Sequence, residues 1–352
     1  MTKMGKVLLV IMVFVCLIIF SAGCGEKTAS EDTNSVAKAP EGEKITIKFS
    51  HVVASTTPKG LAAQKFADLV AEKSNGRIEV KVYPSSQLYG DKDELEALQT
   101  NNVQIIAPSA GKMVALDQRF QLPDVPFLFK NEEASNEFWD GPGGQKLFEG
   151  LQANGIKGLV SWPNGMRNWI NGKKQIKSPV DINGLKLRIP SGGVLTEVHE
   201  ELGAGAVGIP FAEVYTALQQ GTIDGTVASI DNIKTERYYE VIKNLTIADI
   251  NSLNYVVLTN AKFWDGLTDA DRTLLEDALK EATAYERQLS LEMNSFERGT
   301  EMEKMFTDAK VNIYELTDDE KKAFREALQG VYDKYIPVIG EDLFKLAEEA
   351  NQ

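Results

Sequence analysis

The chain has 352 residues, 43% hydrophobic and 25% charged, a globular composition with enough length for two α/β lobes. Its formal net charge of -13 argues against nucleic acid as a partner, because phosphate binding needs a basic surface. Cys16 and Cys24 are its only cysteines, and both precede the first predicted strand, so no disulfide is expected in the folded part.

The first 23 residues have the pattern of an export signal. Lys3 and Lys6 precede an apolar run of about 14 residues, shorter than the roughly 20 residues of a membrane span. The run ends in SAGC, which resembles the lipobox of bacterial lipoproteins and implies that Cys24 becomes the lipid-bearing first residue of the mature chain. An ordinary signal peptide, or a short anchor with an incidental cysteine, is the alternative. The polar residues 24–44 are expected to form a flexible tether.

Strand, helix, strand, helix, strand is the predicted order at the start of the folded part. This order is typical of a parallel sheet with helical crossovers. The predicted strands are 45–52, 77–84 and 103–109, and the helices begin at Thr57 and at Asp91, which has capping-box spacing to Glu94.

A second α/β lobe is predicted over residues 164–252. Residues 45–163, together with a returning strand at about 253–260, are expected to form the first lobe. Two lobes that are connected more than once predict a cleft between them, which is a common place for a small ligand.

A long helix is predicted after the second lobe. Thr268 and Asp271 match a capping box, and helical patterning continues to about Phe306. A helix of that length exceeds one small lobe, so we expect residues 261–352 to pack across both lobes.

The sequence gives little indication of a catalytic site. GAGAVG at 203–208 has the spacing of a dinucleotide-binding loop, but it follows a predicted helix, so we interpret it as a helix cap and turn. The two histidines, His51 and His199, are far apart and lack cysteine partners, which does not fit a zinc site. His199 is expected on a solvated helix face. His51 ends the first strand, where the loops of α/β sheets meet ligands.

Two arginines are candidates for binding an anion. Residues 184–190, GLKLRIP, alternate as a short strand that directs Lys186 and Arg188 to the face opposite its leucines. Arg167 lies in NGMRN, close to the start of the second lobe. The planar guanidinium fork binds a carboxylate through two hydrogen bonds, which lysine cannot do. An arginine of this kind, taken alone, is more often a structural or surface residue.

Six motifs in a fixed order carry a family resemblance. They are YPSSQL (83–88), NGMRN (164–168), INGLKLRIP (182–190), LGA (202–204), FAEVYTALQQGTIDG (211–225) and RYYEV (237–241). Together they resemble the DctP family of solute-binding proteins of TRAP (tripartite ATP-independent periplasmic) transporters, which take up organic acids. The likeness extends over nearly all of residues 45–345.

The resemblance implies an α/β, two-lobed, periplasmic-binding-protein-like fold of type II in an extracytoplasmic protein. The expected ligand is a small carboxylate, with a four-carbon dicarboxylate or a 2-oxo acid as the default. The expected partners are the membrane subunits of a TRAP transporter. We expect no cofactor, no metal and no enzymatic activity, and a monomer.

The resemblance also assigns roles to single residues. Arg188 matches the arginine that pairs with the ligand carboxylate, and Arg167 matches one that assists it. The remaining expected pocket residues are Phe211 and Ser191 from the second lobe, and Ser109 with His51 from the first.

The sequence departs from the family pattern after the segment TIDG. Ala228 stands where many relatives have an amide that joins the arginines, and Asp231 and Asn232 are candidates to compensate. Ser109 replaces an acid found in members that bind sialic acid, which argues against that ligand. Two other readings stay open: a sensor or a binding protein for another transporter class, and a lipid-anchored hydrolase that would use carboxylates and His51.

Overall fold

The computed structural model of the protein describes residues 42–190 and 192–352. The predicted export signal, Cys24 and most of the predicted tether lie outside the described residues, and so does Ser191. Within these two ranges, no helix combines the length and the apolar character that crossing a membrane requires.

The described residues form two β-sheets surrounded by helices. The strands are β1 (Ile45–Ser50), β2 (Ile78–Tyr83), β3 (Ile105–Ile106), β4 (Ile156–Met166), β5 (Asn168–Asn171), β6 (Lys186–Ile189), β7 (Gly205–Gly208), β8 (Gly225–Ala228), β9 (Asn244–Ile247), β10 (Ser252–Asn260) and β11 (Asn312–Glu315). The helices are α1 (Pro58–Lys73), α2 (Glu94–Gln99), α3 (Glu132–Asp140), α4 (Pro142–Gly150), α5 (Val194–Glu201), α6 (Val214–Gln219), α7 (Ile230–Thr235), α8 (Tyr238–Val241), α9 (Ala261–Asp265), α10 (Asp269–Asn294), α11 (Glu301–Asp308), α12 (Asp318–Ala327), α13 (Gln329–Ile339) and α14 (Glu341–Glu349).

The first lobe is built on a five-stranded sheet in the order β2-β1-β3-β10-β4. β1 is parallel to β2 and to β3, as the alternation of strands and helices predicted. β10 returns from the second lobe and runs antiparallel between β3 and β4, so the sheet is mixed. Every position of β10 is buried, which fits a central strand covered on both faces.

The second lobe is built on a six-stranded sheet in the order β11-β9-β5-β8-β6-β7. β6 lies between β7 and β8 and is parallel to both. The glycine-rich segment 203–208 forms a helix cap followed by a strand. Gly203 adopts a positive φ of 79° after α5, as a helix cap does, and β7 begins at Gly205.

Two of the connections between the lobes lie side by side. The chain leaves β4 for β5 at Arg167, and it leaves β9 for β10 through Ile250 and Asn251. The backbone N–H of Arg167 donates to the carbonyl of Asn251 at 2.8 Å, and the N–H of Ile250 donates to the carbonyl of Arg167 at 2.9 Å. These bonds join the two crossing segments into one short ribbon.

The long helix is shorter than the sequence pattern predicted. α10 ends at Asn294 after 26 residues, about 39 Å, rather than near Phe306. Gly299 then adopts a positive φ of 85°, and the Thr300 hydroxyl accepts the Glu303 N–H as the cap of α11. α10 nevertheless contacts both lobes, because it packs against α1 and β4 of the first and α7 of the second.

Candidate functional site

A cavity lies between the two lobes. Both lobes supply its walls, and the lining combines aromatic, aliphatic and charged side chains, which is typical of a ligand site. The lining residues are Val52, Asp91, Ser109, Lys112, Arg167, Arg188, Pro190, Phe211, Val227, Ala228, Asn232, Tyr238, Leu253 and Tyr255.

Arg188 reaches the cavity from strand β6. Lys186, two residues earlier, is exposed, whereas Arg188 is only 5% exposed. Its Nε donates to the carbonyl of Ile209 at 2.9 Å, and no carboxylate of the described residues lies within ion-pair distance. Burial lowers the pKa of Arg188, against the opposing effect of the nearby Tyr238 and Asp91. Arg188 is therefore a buried cation with unused donors, which favours an anionic ligand.

Arg167 lines the same cavity, but its charge is balanced within the protein. Its Nη1 donates to Asp124 Oδ1 at 2.7 Å, to Asn251 Oδ1 at 3.0 Å and to the carbonyl of Ser252 at 3.2 Å. These partners lie on the returning crossover and on the segment that packs against it. The contacts hold the crossing segments together, but all of them use Nη1, so Nε and Nη2 make no hydrogen bond to the described residues and are left for a ligand.

Asp91 links the two lobes across the cavity. Its Oδ2 accepts a hydrogen bond from the backbone N–H of Phe211 at 2.7 Å, and Lys112 Nζ lies 3.6 Å from the same oxygen. The sequence-based prediction that Asp91 caps α2 is wrong, because α2 begins at Glu94 with Asp93 before it. Asp91 is free to face the cavity because the turn before α2 is closed by Asp93, whose Oδ1 accepts the N–H of Gly90.

Three polar side chains complete the walls. The hydroxyl of Tyr238 is buried and makes no hydrogen bond to the described residues. Asn232 donates from Nδ2 to the hydroxyl of Tyr255 at 3.4 Å and accepts a hydrogen bond from Asn164 Nδ2 at 3.2 Å. Burial raises the pKa of both tyrosines, so they remain neutral donors at physiological pH.

A second layer of ionisable groups lies beneath the cavity floor. Lys59 is fully buried, donates to the carbonyl of Ala107 at 2.8 Å and has its Nζ 3.3 Å from the ring centre of Tyr255. Burial lowers the pKa of Lys59 to about 7, although Glu94, Asp91 and Glu286 oppose this effect. Burial raises the pKa of Glu94 to about 8. These groups change protonation near neutral pH.

His51 and Asp231 do not line the cavity, in contrast to the sequence-based expectation. His51 is fully buried, and burial lowers its pKa to about 3, so it is neutral. Asp231 is also fully buried, and burial raises its pKa to about 7. Its neighbour Asn232 reaches the cavity instead, because successive residues of α7 point in different directions. Ser191 lies outside the described residues.

The cavity is lined by Arg188, Arg167, Phe211 and Ser109, and also by four polar or charged residues that the sequence did not assign to the pocket. The overlooked residues are Asp91, Lys112, Tyr238 and Tyr255. One signal for Lys112 was its spacing of three residues from Ser109 on a helical turn, which brings the two to one face. The residues that form the cavity walls come from segments far apart in the sequence. No local sequence pattern reveals that these segments lie together.

His199 is buried rather than solvated, which corrects the sequence-based interpretation. Its Nδ1 lies 2.7 Å from the carbonyl of Leu195, one turn earlier in α5, and burial lowers its pKa. In the described ranges, no three histidine, cysteine, aspartate or glutamate side chains gather as metal ligands would.

The chain is similar to known solute-binding proteins along most of its length. The model of DctP, bacterial extracellular solute-binding protein family 7, matches residues 49–337. The C4-dicarboxylate-binding periplasmic protein DctP of Rhodobacter capsulatus is 40% identical over 309 residues, 88% of this chain and 91% of the relative. The C4-dicarboxylate-binding protein DctB of Bacillus subtilis (strain 168) is 37% identical over 303 residues, 86% of this chain and 85% of the relative.

Solved structures agree with the sequence relatives. A TRAP periplasmic solute-binding protein from Shewanella oneidensis, with bound succinate, matches with a TM-score of 0.83 at 35% identity. The match covers 88% of this chain and 100% of that one. The predicted α/β fold with two lobes is thereby confirmed.

Proposed function

The chain belongs to family 7 of the bacterial extracellular solute-binding proteins, which serve TRAP transport, and we propose that it captures a four-carbon dicarboxylate between its lobes. The captured acid would then be delivered to TRAP-type membrane subunits. The ligand class rests on the relatives, of which two are C4-dicarboxylate-binding proteins and one was solved with succinate.

The observation that carries this proposal is the buried guanidinium of Arg188. It faces the cavity between the lobes and has no carboxylate partner among the described residues. Leaving such a charge unpaired is costly, and a ligand carboxylate would supply two charge-assisted hydrogen bonds. The attraction is stronger in a cavity from which water has been expelled than on a solvated surface.

Capture would proceed by closure of the lobes. Arg188 lies in the second lobe, while Ser109 and Lys112 lie in the first, so a ligand held by both lobes favours the closed form. The hydrogen bond from Phe211 to Asp91 crosses the same cleft. The ribbon at Arg167 and Asn251 would serve as the hinge.

The location of the protein follows from its N-terminal sequence. The SAGC motif supports export and lipid attachment at Cys24, and residues 24–44 would tether a monomeric binding unit to the outer face of the cell membrane. Mass spectrometry of the mature N-terminus would detect a diacylated Cys24, and an unmodified cysteine or an intact signal would contradict this part.

A role as an enzyme gains no support from the site. The described cavity walls contain neither histidine nor cysteine, and the Ser109 hydroxyl makes no hydrogen bond to a base among the described residues. Family members act as binding proteins rather than as catalysts. A role in sensing differs from a role in transport by the protein partner, because a sensor would bind a receptor and not TRAP membrane subunits.

A thermal-shift screen tests the proposal. The purified protein would be mixed with succinate, malate, fumarate, 2-oxo acids and sugar acids, with neutral sugars and amino acids as controls. A ligand at 100 times its dissociation constant adds about 2.7 kcal/mol to the free energy of unfolding. We expect a clear rise in the melting temperature with one or more dicarboxylates. Stabilisation by neutral sugars alone would overturn the proposal.

A further inference from the structure

Lys112 is a cation at the cavity in addition to Arg188 and Arg167, and it comes from the opposite lobe to Arg188. It lies on the helical turn Ala110–Ala115, after β3, and its side chain is 21% exposed. Its nearest carboxylate in the described part of the chain is Asp91, with 3.6 Å between Nζ and Oδ2. That separation is too long for a good hydrogen bond, and the ammonium makes none with the described residues.

Asp91 is not positioned to satisfy Lys112. Its Oδ2 already accepts the N–H of Phe211 at 2.7 Å, which fixes the carboxylate in the direction of the second lobe. The ammonium has three donors and is partly buried, and its ion pair with Asp91 supplies charge but no hydrogen-bond acceptor at a good distance. The arrangement leaves a place for an acceptor that the ligand brings.

We propose that Lys112 binds the second carboxylate of the ligand and thereby makes the site selective for dicarboxylates over monocarboxylates. This inference rests on the proposed function, because it requires the first carboxylate to be held by Arg188. A dicarboxylate would then connect a cation of the first lobe with a cation of the second. A monocarboxylate would engage Arg188 and would leave Lys112 without a ligand carboxylate.

Succinate and butyrate are suitable probes, because they share a four-carbon chain and differ in one terminal carboxylate. Affinities for both would be measured by calorimetry on the whole described domain, for the wild type, Lys112→Met, Lys112→Arg and Arg188→Met. Methionine keeps most of the length and volume of lysine without the charge, and arginine keeps the charge. Melting temperatures would verify that each variant is folded.

We expect the wild type to prefer succinate over butyrate by at least about 30-fold, which is the effect of losing one partner of a desolvated charge pair. Lys112→Met should lose this preference by weakening succinate alone, while Lys112→Arg should retain most of it. Arg188→Met should weaken both acids. An unchanged succinate-to-butyrate ratio in Lys112→Met, or an equal loss of both acids, would overturn the role of Lys112.

The two proposals fail in different ways. If the wild type binds succinate and butyrate equally well, the site still captures carboxylates and only the role of Lys112 is wrong. If it binds neither acid nor any other carboxylate, the proposed function itself is wrong.

Discussion

The carboxylate of Asp91 in the first lobe accepts a 2.7 Å hydrogen bond from the backbone N–H of Phe211 in the second. The bond spans the cavity that holds Arg188, so it exists only when the lobes are together. It gives the closed form a contact that does not depend on the ligand.

Exchange of the Phe211 amide hydrogen with solvent should report this contact. In ligand-free protein, Asp91→Ala removes the acceptor, and we expect exchange at Phe211 to speed up about 10-fold or more, since a hydrogen bond to a charged group contributes about 1.5 to 3 kcal/mol. Asp91→Asn retains an acceptor oxygen and should preserve most of the protection. Equal exchange rates in Asp91→Ala and the wild type would refute the link.

Removing the Arg188 side chain should abolish capture. In Arg188→Ala we expect succinate affinity to fall by about 30-fold to several thousand-fold, the usual cost of about 2 to 5 kcal/mol for losing one partner of a desolvated charge pair. Arg188→Lys should also be impaired, because an ammonium cannot reproduce the two parallel hydrogen bonds. Lys186→Ala, on the same strand but exposed, is the matched control and should bind normally in calorimetry.

Arg167 and Arg188 should differ in their contribution to stability. Both are buried, but Arg167 is paired with Asp124, and both side chains of that pair are 3% exposed. Arg167→Met would remove the cation from a buried ion pair with Asp124 and should lower the free energy of unfolding by about 3 to 5 kcal/mol. Arg188→Met removes a cation without a carboxylate partner in the described chain and should leave stability equal or higher. Urea denaturation of both variants without ligand measures the difference, and equal losses would contradict it.

Glu94 should make the protein less stable as the pH rises. Burial raises its pKa from an ordinary 4.5 to about 8, with Asp91 adding to the effect and Lys59 opposing it. The folded chain therefore keeps a proton that the unfolded chain has released. The stability from this group is complete below pH 4.5 and is lost as the pH rises through 8.

Glu94→Gln tests this linkage, because glutamine has the same shape and does not titrate. Its free energy of unfolding should fall less steeply than that of the wild type between pH 5 and pH 8, by up to about 1.4 kcal/mol per pH unit. Glu96→Gln, exposed on the same helix, is the control and should follow the wild type. The free energy of unfolding would be measured by urea titration at each pH. If it falls with pH equally steeply in Glu94→Gln and in the wild type, Glu94 is not protonated in the folded chain.

The sequence predicted the parts of the fold that depend on local pattern. β1 and β2 follow from alternation, and Thr57 caps α1 as expected, with its hydroxyl accepting the N–H of Gly60 at 3.1 Å. The pattern in GLKLRIP placed Lys186 and Arg188 on one face but could not separate them. The structure separates them because Arg188 is buried and lines the cavity, whereas Lys186 is exposed.

What the sequence missed depends on contacts between distant segments. Asp91 looked like a capping residue, but its partner is the N–H of Phe211, 120 residues away. His199 lies among polar neighbours in the sequence, yet the side of α5 that carries it faces the core. The sequence pattern predicted that helix α10 continues beyond Asn294, because the charged residues that follow keep a helical spacing. The cap at Thr300 indicated instead that a new helix begins there.

The ribbon that joins the lobes at Arg167 and Asn251 constrains how they move. Two adjacent backbone segments tied by hydrogen bonds bend readily about a line across them, but they resist sliding past each other because sliding would break those bonds. We therefore expect opening and closing to bend this ribbon rather than to slide one segment past the other. Each closure returns the same side chains to the same partners, so the selectivity of the pocket is reproduced from one transport cycle to the next.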